Sequence, residues 1–303
     1  MWFWLALITL LFWSGSDLFS KIGCRDATDK YSHLKMVMAV GLVMGIHAAY
    51  EIFVGGVEIT WNVMLTYLPV SALYILSMAL GYLGLRYIEL SISSPICNSS
   101  GALVAIMCLI TGDITGNVTG WALVAVAVIC AGVIGLGVVE AREDPELRAA
   151  RQEKSNYKYS KSLLAILLPV AYCLLDAAGT FADSLVLEKL DEGAANVAYE
   201  LTFLAVGLMC FIYVVLIKRD RLVPKMEGPK YVGAICETIG QFAYIYAIAD
   251  EDHLVYSAPI ISAYCVASVV WSRIFLKEKL SWKHYACIAL VAVGIVILGV
   301  FDI

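Results

Sequence analysis

The chain has 303 residues, 61% of them hydrophobic and 16% charged, with a formal net charge of −5 and a mean hydropathy of +0.82. Soluble domains carry about 25% charged residues, so this composition excludes a soluble enzyme, a nucleic-acid binder or a disulfide scaffold. The charges cluster between apolar stretches of about 20 residues, the length that crosses a hydrocarbon core as helix; a membrane barrel would instead alternate apolar with polar residues.

The hydropathy pattern predicts ten membrane-spanning helices, near 1–20, 32–54, 63–87, 92–111, 118–139, 162–186, 194–217, 230–249, 254–275 and 284–301. The first lacks the basic start and small-residue cleavage site of a signal peptide, carries Trp2, Trp4 and Trp13, and continues into Asp17 and Lys21, so it is expected to stay. In the second, Gly41 and Gly45 form a GxxxG that reads as close helix packing. Pro69, Pro95, Pro169 and Pro259 interrupt four of the spans. Within a bundle, neighbouring groups satisfy the carbonyls a proline frees, and discontinuous helices often line transport sites. Eight of the nine cysteines lie inside spans without metal-ligand spacing, so neither a disulfide framework nor a metal or other cofactor is expected.

Ten spans place the connecting segments alternately on two faces. One face takes 20 of the 21 Lys and Arg residues: Lys21 to Lys35, Arg86, the 140–161 linker, Lys218 to Lys230, and Arg273 to Lys283. The other keeps Lys189 beside Glu51, Glu58, Asp113, Glu188, Asp191, Glu192 and the run Asp250–Asp252. Basic residues in short loops stay cytoplasmic. The first face is therefore expected inside, giving a multi-pass plasma-membrane protein with both termini outside.

The chain also repeats itself. Ser94-Pro95-Ile96-Cys97 returns as Ala258-Pro259-Ile260-Ile261, an offset of 164, and Ala39-Val40-Gly41-Leu42 returns as Ala205-Val206-Gly207-Leu208, an offset of 166. Gly132 and Gly137 answer Gly294 and Gly299 at 162, and Asp17 answers Asp176 at 159. The expected organisation is an all-α membrane protein: a five-helix repeat over 1–139, a basic cytoplasmic linker over 140–161, and a second five-helix repeat over 162–303. Five is odd, so the second copy is inserted upside down, an arrangement common in secondary transporters because one half can rock against the other.

The Phe12-Trp13-Ser14-Gly15 stretch followed by Lys21, and the segment Pro259 … Leu276-Lys277-Glu278-Lys279-Leu280 … Gly294-Ile295, resemble EamA-type members of the drug/metabolite transporter superfamily. The resemblance implies a carrier of ten helices in two inverted five-helix repeats. In one departure, the first repeat has Asp113 and a Gly/Thr-rich loop where the second has Glu278.

Intramembrane carboxylates are the most informative residues, because each costs about 2.5–3.5 kcal/mol on insertion scales. Asp17, Asp176, Glu200 and Glu237 sit well inside spans, with Asp183 nearer an end. Tyr172, Asp176, Thr180 and Asp183 form one helical stripe, and Glu237, Gln241 and Tyr244 another. Tyr74, Ser77, Gly81, Asn98, Tyr264 and Trp13 add polar or aromatic groups on other spans. The plainer reading of Ser77 and Asn98 is interhelical glue. For Asp17 it is a structural pair with Lys21, one turn on, and His47 reads as a packed core histidine.

No nucleotide loop, HExxH or serine elbow is present. The expected function is secondary transport of a small cationic or zwitterionic solute, such as an amino acid, amine or quaternary ammonium compound. Carboxylates beside aromatic rings suit an ammonium head. Candidate substrate contacts are Tyr172, Asp176, Glu237, Gln241, Tyr244, Asn98, Ser77, Tyr264 and Trp13. Asp17, Asp176, Glu200 and Glu237 are candidates for proton coupling or gating, with Asp17 toward the inner end and Asp176 toward the outer. The alternatives are an uncharged solute such as a sugar, bound by Asn98, Gln241 and the tyrosines, or a membrane enzyme or scaffold subunit that uses the fold without transport. Expected partners are a small-molecule substrate, the lipid bilayer and protons, with no nucleic acid.

Overall fold

A computed structural model describes residues 2–26, 28–100, 103, 104, 107, 120–142, 162–187, 189–248, 261 and 263–300. Asp113, most of the Thr111–Gly120 loop, linker residues 143–161, the run Asp250–Asp252 and Pro259 lie outside the described residues. The described chain contains ten α-helices and no strand: α1 (Trp2–Cys24), α2 (Ser32–Tyr50), α3 (Trp61–Leu85), α4 (Leu90–Cys97), α5 (Gly120–Ala141), α6 (Ser162–Leu187), α7 (Glu192–Phe211), α8 (Pro224–Ile248), α9 (Tyr264–Trp271) and α10 (Trp282–Val300). Single π-helical turns prolong α2 over Glu51–Gly55, α7 over Ile212–Ile217 and α9 over Ser272–Leu276. By length and composition α1, α2, α3, α6 and α7 can each cross a membrane, and shorter apolar stretches run over Leu123–Leu136, Tyr264–Leu276 and Trp282–Ile297.

The elements differ from expectation at three places. Helix α8 starts six residues early, with Pro224 at its first position, where a missing amide costs nothing. The described helix α4 runs eight residues before a turn, beyond which Ser100, Leu103, Val104 and Met107 are again helical. It starts after Glu89, whose backbone is extended, carries Pro95 inside, and stops at Asn98. The described part of the ninth span is likewise short, starting at Tyr264.

The helices pack mainly as antiparallel pairs, α1 with α8, α3 with α6, α2 with α7 and α5 with α10. Lipid offers little hydrophobic drive for helices to associate, so close backbone approach at small residues takes over. At the α2–α7 crossing a Cβ on Gly41 would stand 2.5 Å from the Phe203 carbonyl oxygen, and one on Gly207 would stand 3.3 Å from that of Val37. At the α5–α10 crossing Gly132 faces Val291 and the Cys287 carbonyl, while Gly294 faces Ile129 and the Ala125 carbonyl. In the other two pairs a ring covers a glycine: Trp13 of α1 on Gly240 of α8, and Tyr172 of α6 on Gly81 of α3. Residues that exchange places in these contacts are 166, 162 and 159 apart, the spacings at which the sequence repeats.

One end of the bundle gathers the α1–α2, α3–α4, α7–α8 and α9–α10 connections. Lys35 Nζ lies 3.1 Å from Asp29, 3.2 Å from Asp220 and 3.6 Å from Glu227. Lys230 Nζ lies 3.3 Å from Asp29 and 3.0 Å from Glu227, and its stem rests on Gly23. Arg86 donates to the Lys30 carbonyl. Asp29 and both lysines are buried, so the two ammonium groups must be compensated from within this cluster, where three carboxylates surround them.

The glycine contacts generate a stability prediction. Gly41→Ala should cost about 1–3 kcal/mol by overpacking. Gly228→Ala, where a Cβ meets nothing within 4 Å, should be neutral or stabilising by up to about 1 kcal/mol. Unfolding titrations of the reconstituted protein measure both, and equal effects would sink the steric account.

Candidate functional site

Helix α1 places Trp13, Asp17 and Lys21 on one stripe, four residues apart. Asp17 Oδ2 accepts hydrogen bonds from Ser94 Oγ of α4 at 2.6 Å and from Ser268 Oγ of α9 at 2.7 Å. One carboxylate thus ties the two short helices to α1. The Trp271 indole adds a second tie, donating to Ser14 Oγ at 3.0 Å.

Two further carboxylates converge here. Glu237 of α8 is hydrogen-bonded by Ser16 and has Asp17 and Asp176 as charged neighbours. Asp176 of α6 is hydrogen-bonded by Ser100. Aromatic rings pack beside them: Trp13 lies 5.0 Å from Tyr244 and 5.5 Å from Tyr264, centroid to centroid. Tyr172 and Tyr264 are each within electrostatic reach of both Asp176 and Glu237. The Trp13 indole N–H is buried with no acceptor among the described residues. Near the Glu192 end of α7, Asp183 accepts from the Tyr67 hydroxyl at 2.7 Å, and the Tyr74 hydroxyl lies 3.2 Å from Thr180 Oγ1.

The other candidates fall differently. Gln241 is half-buried one turn along α8 from Glu237. Ser77 is buried and its hydroxyl donates to the Tyr74 carbonyl of its own helix at 2.7 Å. Asn98 Nδ2 donates to the Ser94 carbonyl at 3.0 Å. Both side chains spend hydrogen-bonding capacity on the backbone of their own helix and not on a neighbouring one.

The expected Asp17–Lys21 pair is corrected. Lys21 Nζ donates to the Leu85 carbonyl at 2.7 Å and to the Ile88 carbonyl, at the end of α3, and its acidic neighbours are Glu278 and Glu89. Carbonyls left free at a helix end compete better for a buried ammonium than a carboxylate already held by two serines. Glu278 answers from the other side of the same break: its oxygens accept from the Leu90 and Ser91 amides at 3.1 Å each and from Ser91 Oγ at 2.7 Å. The break between α3 and α4 is thus held by a cation on its carbonyls and an anion on its amides.

His47 is corrected too. It is no isolated core residue: its Nδ1 lies 2.8 and 3.0 Å from the two oxygens of Glu200 on α7. Sequence reasoning treated these residues separately because they are 153 positions apart. The signal was available in the Gly41–Gly207 crossing, since six residues beyond Gly41 and seven before Gly207 meet on antiparallel helices.

Residues 163–300 match the model of the EamA-like transporter family. This half of the chain is EamA-like. The match runs from the second residue of α6 to the last of α10, and it contains the Pro259 … Ile295 segment from which the resemblance was read. The match over the second half and the long apolar helices together support a multi-pass membrane protein. No curated protein matches the chain. Within the EamA-like half, Glu278 is the acid of the Leu276–Leu280 motif, and its function here is visible: it caps a helix of the other half.

Removing one partner of a buried charge pair leaves the other uncompensated. Lys21→Met and Glu278→Gln should therefore each destabilise the fold by about 3–5 kcal/mol, and the double variant by less than their sum. A double-mutant cycle on unfolding free energy measures this; strict additivity would show that the two charges do not act together.

Proposed function

We propose that the protein is a secondary carrier for a small cationic or zwitterionic organic solute, built as two five-helix repeats of opposite orientation. The observation that carries the reading is the convergence of Asp176 and Glu237 with the Trp13, Tyr244 and Tyr264 rings, with no lysine or arginine among the contacts described for them. Such a site attracts an ammonium head by charge and by cation–π contact. The Trp13 N–H, which has no acceptor among the described residues, offers a donor for an acceptor on the same solute, which favours a zwitterion such as an amino acid.

The repeat reading is supported by the packing. Each major helix pair either maps onto itself or onto another when α1–α5 exchange with α6–α10: α1–α8 with α6–α3, α2–α7 with itself, α5–α10 with itself. All four pairs are antiparallel, as alternating spans with odd differences in number require. The four connections gathered at the Asp29 end are also those to which the charge rule assigns the cytoplasm. We place that end inside, both termini outside, and the protein in the plasma membrane. Reporter fusions at Met1 and Ile303 should report from outside, and a protease site within 145–160 should be cut from the cytoplasm; cytoplasmic termini would reverse the orientation.

Uptake of a panel of labelled amino acids, amines, quaternary ammonium compounds and sugars into proteoliposomes tests the substrate class. Asp176→Asn and Glu237→Gln each remove a charge-assisted contact worth about 1.5–3 kcal/mol, so substrate affinity should fall roughly ten- to hundred-fold. Wild-type affinity in both variants, or uptake confined to sugars, would overturn the assignment.

A further inference from the structure

We propose that Glu51, His47 and Glu200 form a proton relay running from the end of α2 into the bundle, separate from the substrate carboxylates. Its use in coupling rests on the carrier reading above; proton binding at the relay does not.

One imidazole bridges two carboxylates of different exposure. His47 Nδ1 lies 2.8 Å from Glu200 Oε1, and Nε2 lies 3.7 Å from Glu51 Oε1. The Glu200 side chain is 1% exposed, whereas those of His47 and Glu51 are each 20% exposed. The sequence of groups therefore runs from a partly wet acid, through a ring with two nitrogens, to a buried acid. Asn196 Nδ2 donates to Glu200 Oε1 at 3.3 Å and fixes its orientation.

Among the described residues, the surrounding elements add no competing charge. Glu51 from α2 and Glu200 from α7 are the charged groups that act on His47. Those acting on Glu200 are His47 and Glu51. From α8 the neutral Phe242 ring meets the imidazole, centroids 5.5 Å apart. On the inward side the next residue, Tyr199, is within electrostatic reach of Glu200 and of Glu237 and Asp176. The relay thus ends one residue from Tyr199, which neighbours the substrate carboxylates without being part of the relay.

The transfer balances as a tautomer shift. A proton taken up at Nε2 makes the ring an imidazolium; the Nδ1 proton then passes to a Glu200 oxygen. The ring is left neutral with its proton on Nε2, and one proton has moved from Glu51 to Glu200. A static ion pair gluing α2 to α7 would need the ring permanently charged.

Ring-nitrogen NMR of the full-length protein, labelled with 15N-histidine in lipid nanodiscs and assigned with His47→Gln, separates these cases. The relay predicts that His47 changes protonation reversibly between pH 5 and 8. It also predicts that Glu200→Gln moves this step by about one pH unit or more, whereas Glu200→Asp restores it. Glu51→Gln, at the wetter end, should move the step by less and serves where the buried variant does not fold. A His47 signal unchanged across that range, or a step indifferent to both substitutions, overturns the relay. In proteoliposomes, His47→Gln should keep solute exchange at equal pH and lose its response to an imposed pH gradient; a retained response removes the relay from coupling. If the wild type carries no solute of the panel, the carrier reading fails while the titration still decides whether His47 and Glu200 bind the proton.

Discussion

Backbone polar groups inside a membrane must be satisfied by the protein itself, because hydrocarbon offers them nothing. The same holds wherever protein shuts water out, and the break between α3 and α4 is such a place, with Leu85, Ile88, Leu90 and Ser91 buried. The carbonyls of Leu85 and Ile88 are met by Lys21, and the amides of Leu90 and Ser91 by Glu278. Neither charge is tolerable alone in a buried site, so each depends on the other and on the break. Because Lys21 comes from α1 and Glu278 from the α9–α10 connection, capping one short helix also fixes the relation of elements more than 250 residues apart. Asp17, one turn before Lys21, repeats the principle by binding serines on α4 and α9.

The two aspartates at an offset of 159 are not equivalent in their surroundings. At the sequence offset of 164, Ser94 and Ser268 correspond to Ala258 and Val104. Asp17 accepts from serines on two other helices, and Asp176 from Ser100. A carboxylate bonded to two elements holds helices together; one with fewer donors retains more acceptor capacity for a ligand. On that basis the substrate reading leans on Asp176 and Glu237, and Asp17 belongs to the scaffold between the short helices.

Much of this architecture was legible in the chain because lipid imposes length and apolarity on every span, and most of the described helices, though not α4, α8 and α9, begin and end close to the hydropathy boundaries. The repeat offsets were legible for a related reason. Glycines at Gly41, Gly132, Gly207 and Gly294 mark backbone contacts that no larger residue can replace. Contacts between side chains on different helices were harder. Lys21 looked like the partner of Asp17 because an i, i+4 pair is the natural reading of an isolated helix; in the bundle, broken-helix carbonyls outcompeted it. His47 looked inert because its partner lies on another element. Ser77 and Asn98 were legible as polar but not as self-satisfied, since sequence does not say which backbone carbonyl a hydroxyl or amide will choose.

The end of the bundle around Asp29 bears on how such a carrier could open. An apolar plug would resist opening in proportion to its area, at about 25 cal/mol per Å² exposed to water. A closure made of Lys35, Lys230, Asp29, Glu227 and Asp220 behaves differently. Each group loses its ion partners on opening but regains hydration, and the two terms are of similar size for buried pairs. The arrangement is then specific in geometry yet shallow in free energy. At Gly41 and Gly207, by contrast, two backbones touch with no side chain between them, a contact set by shape alone. Directional capping at α4 and mutually compensating ions at the Asp29 end thus hold the bundle by different means.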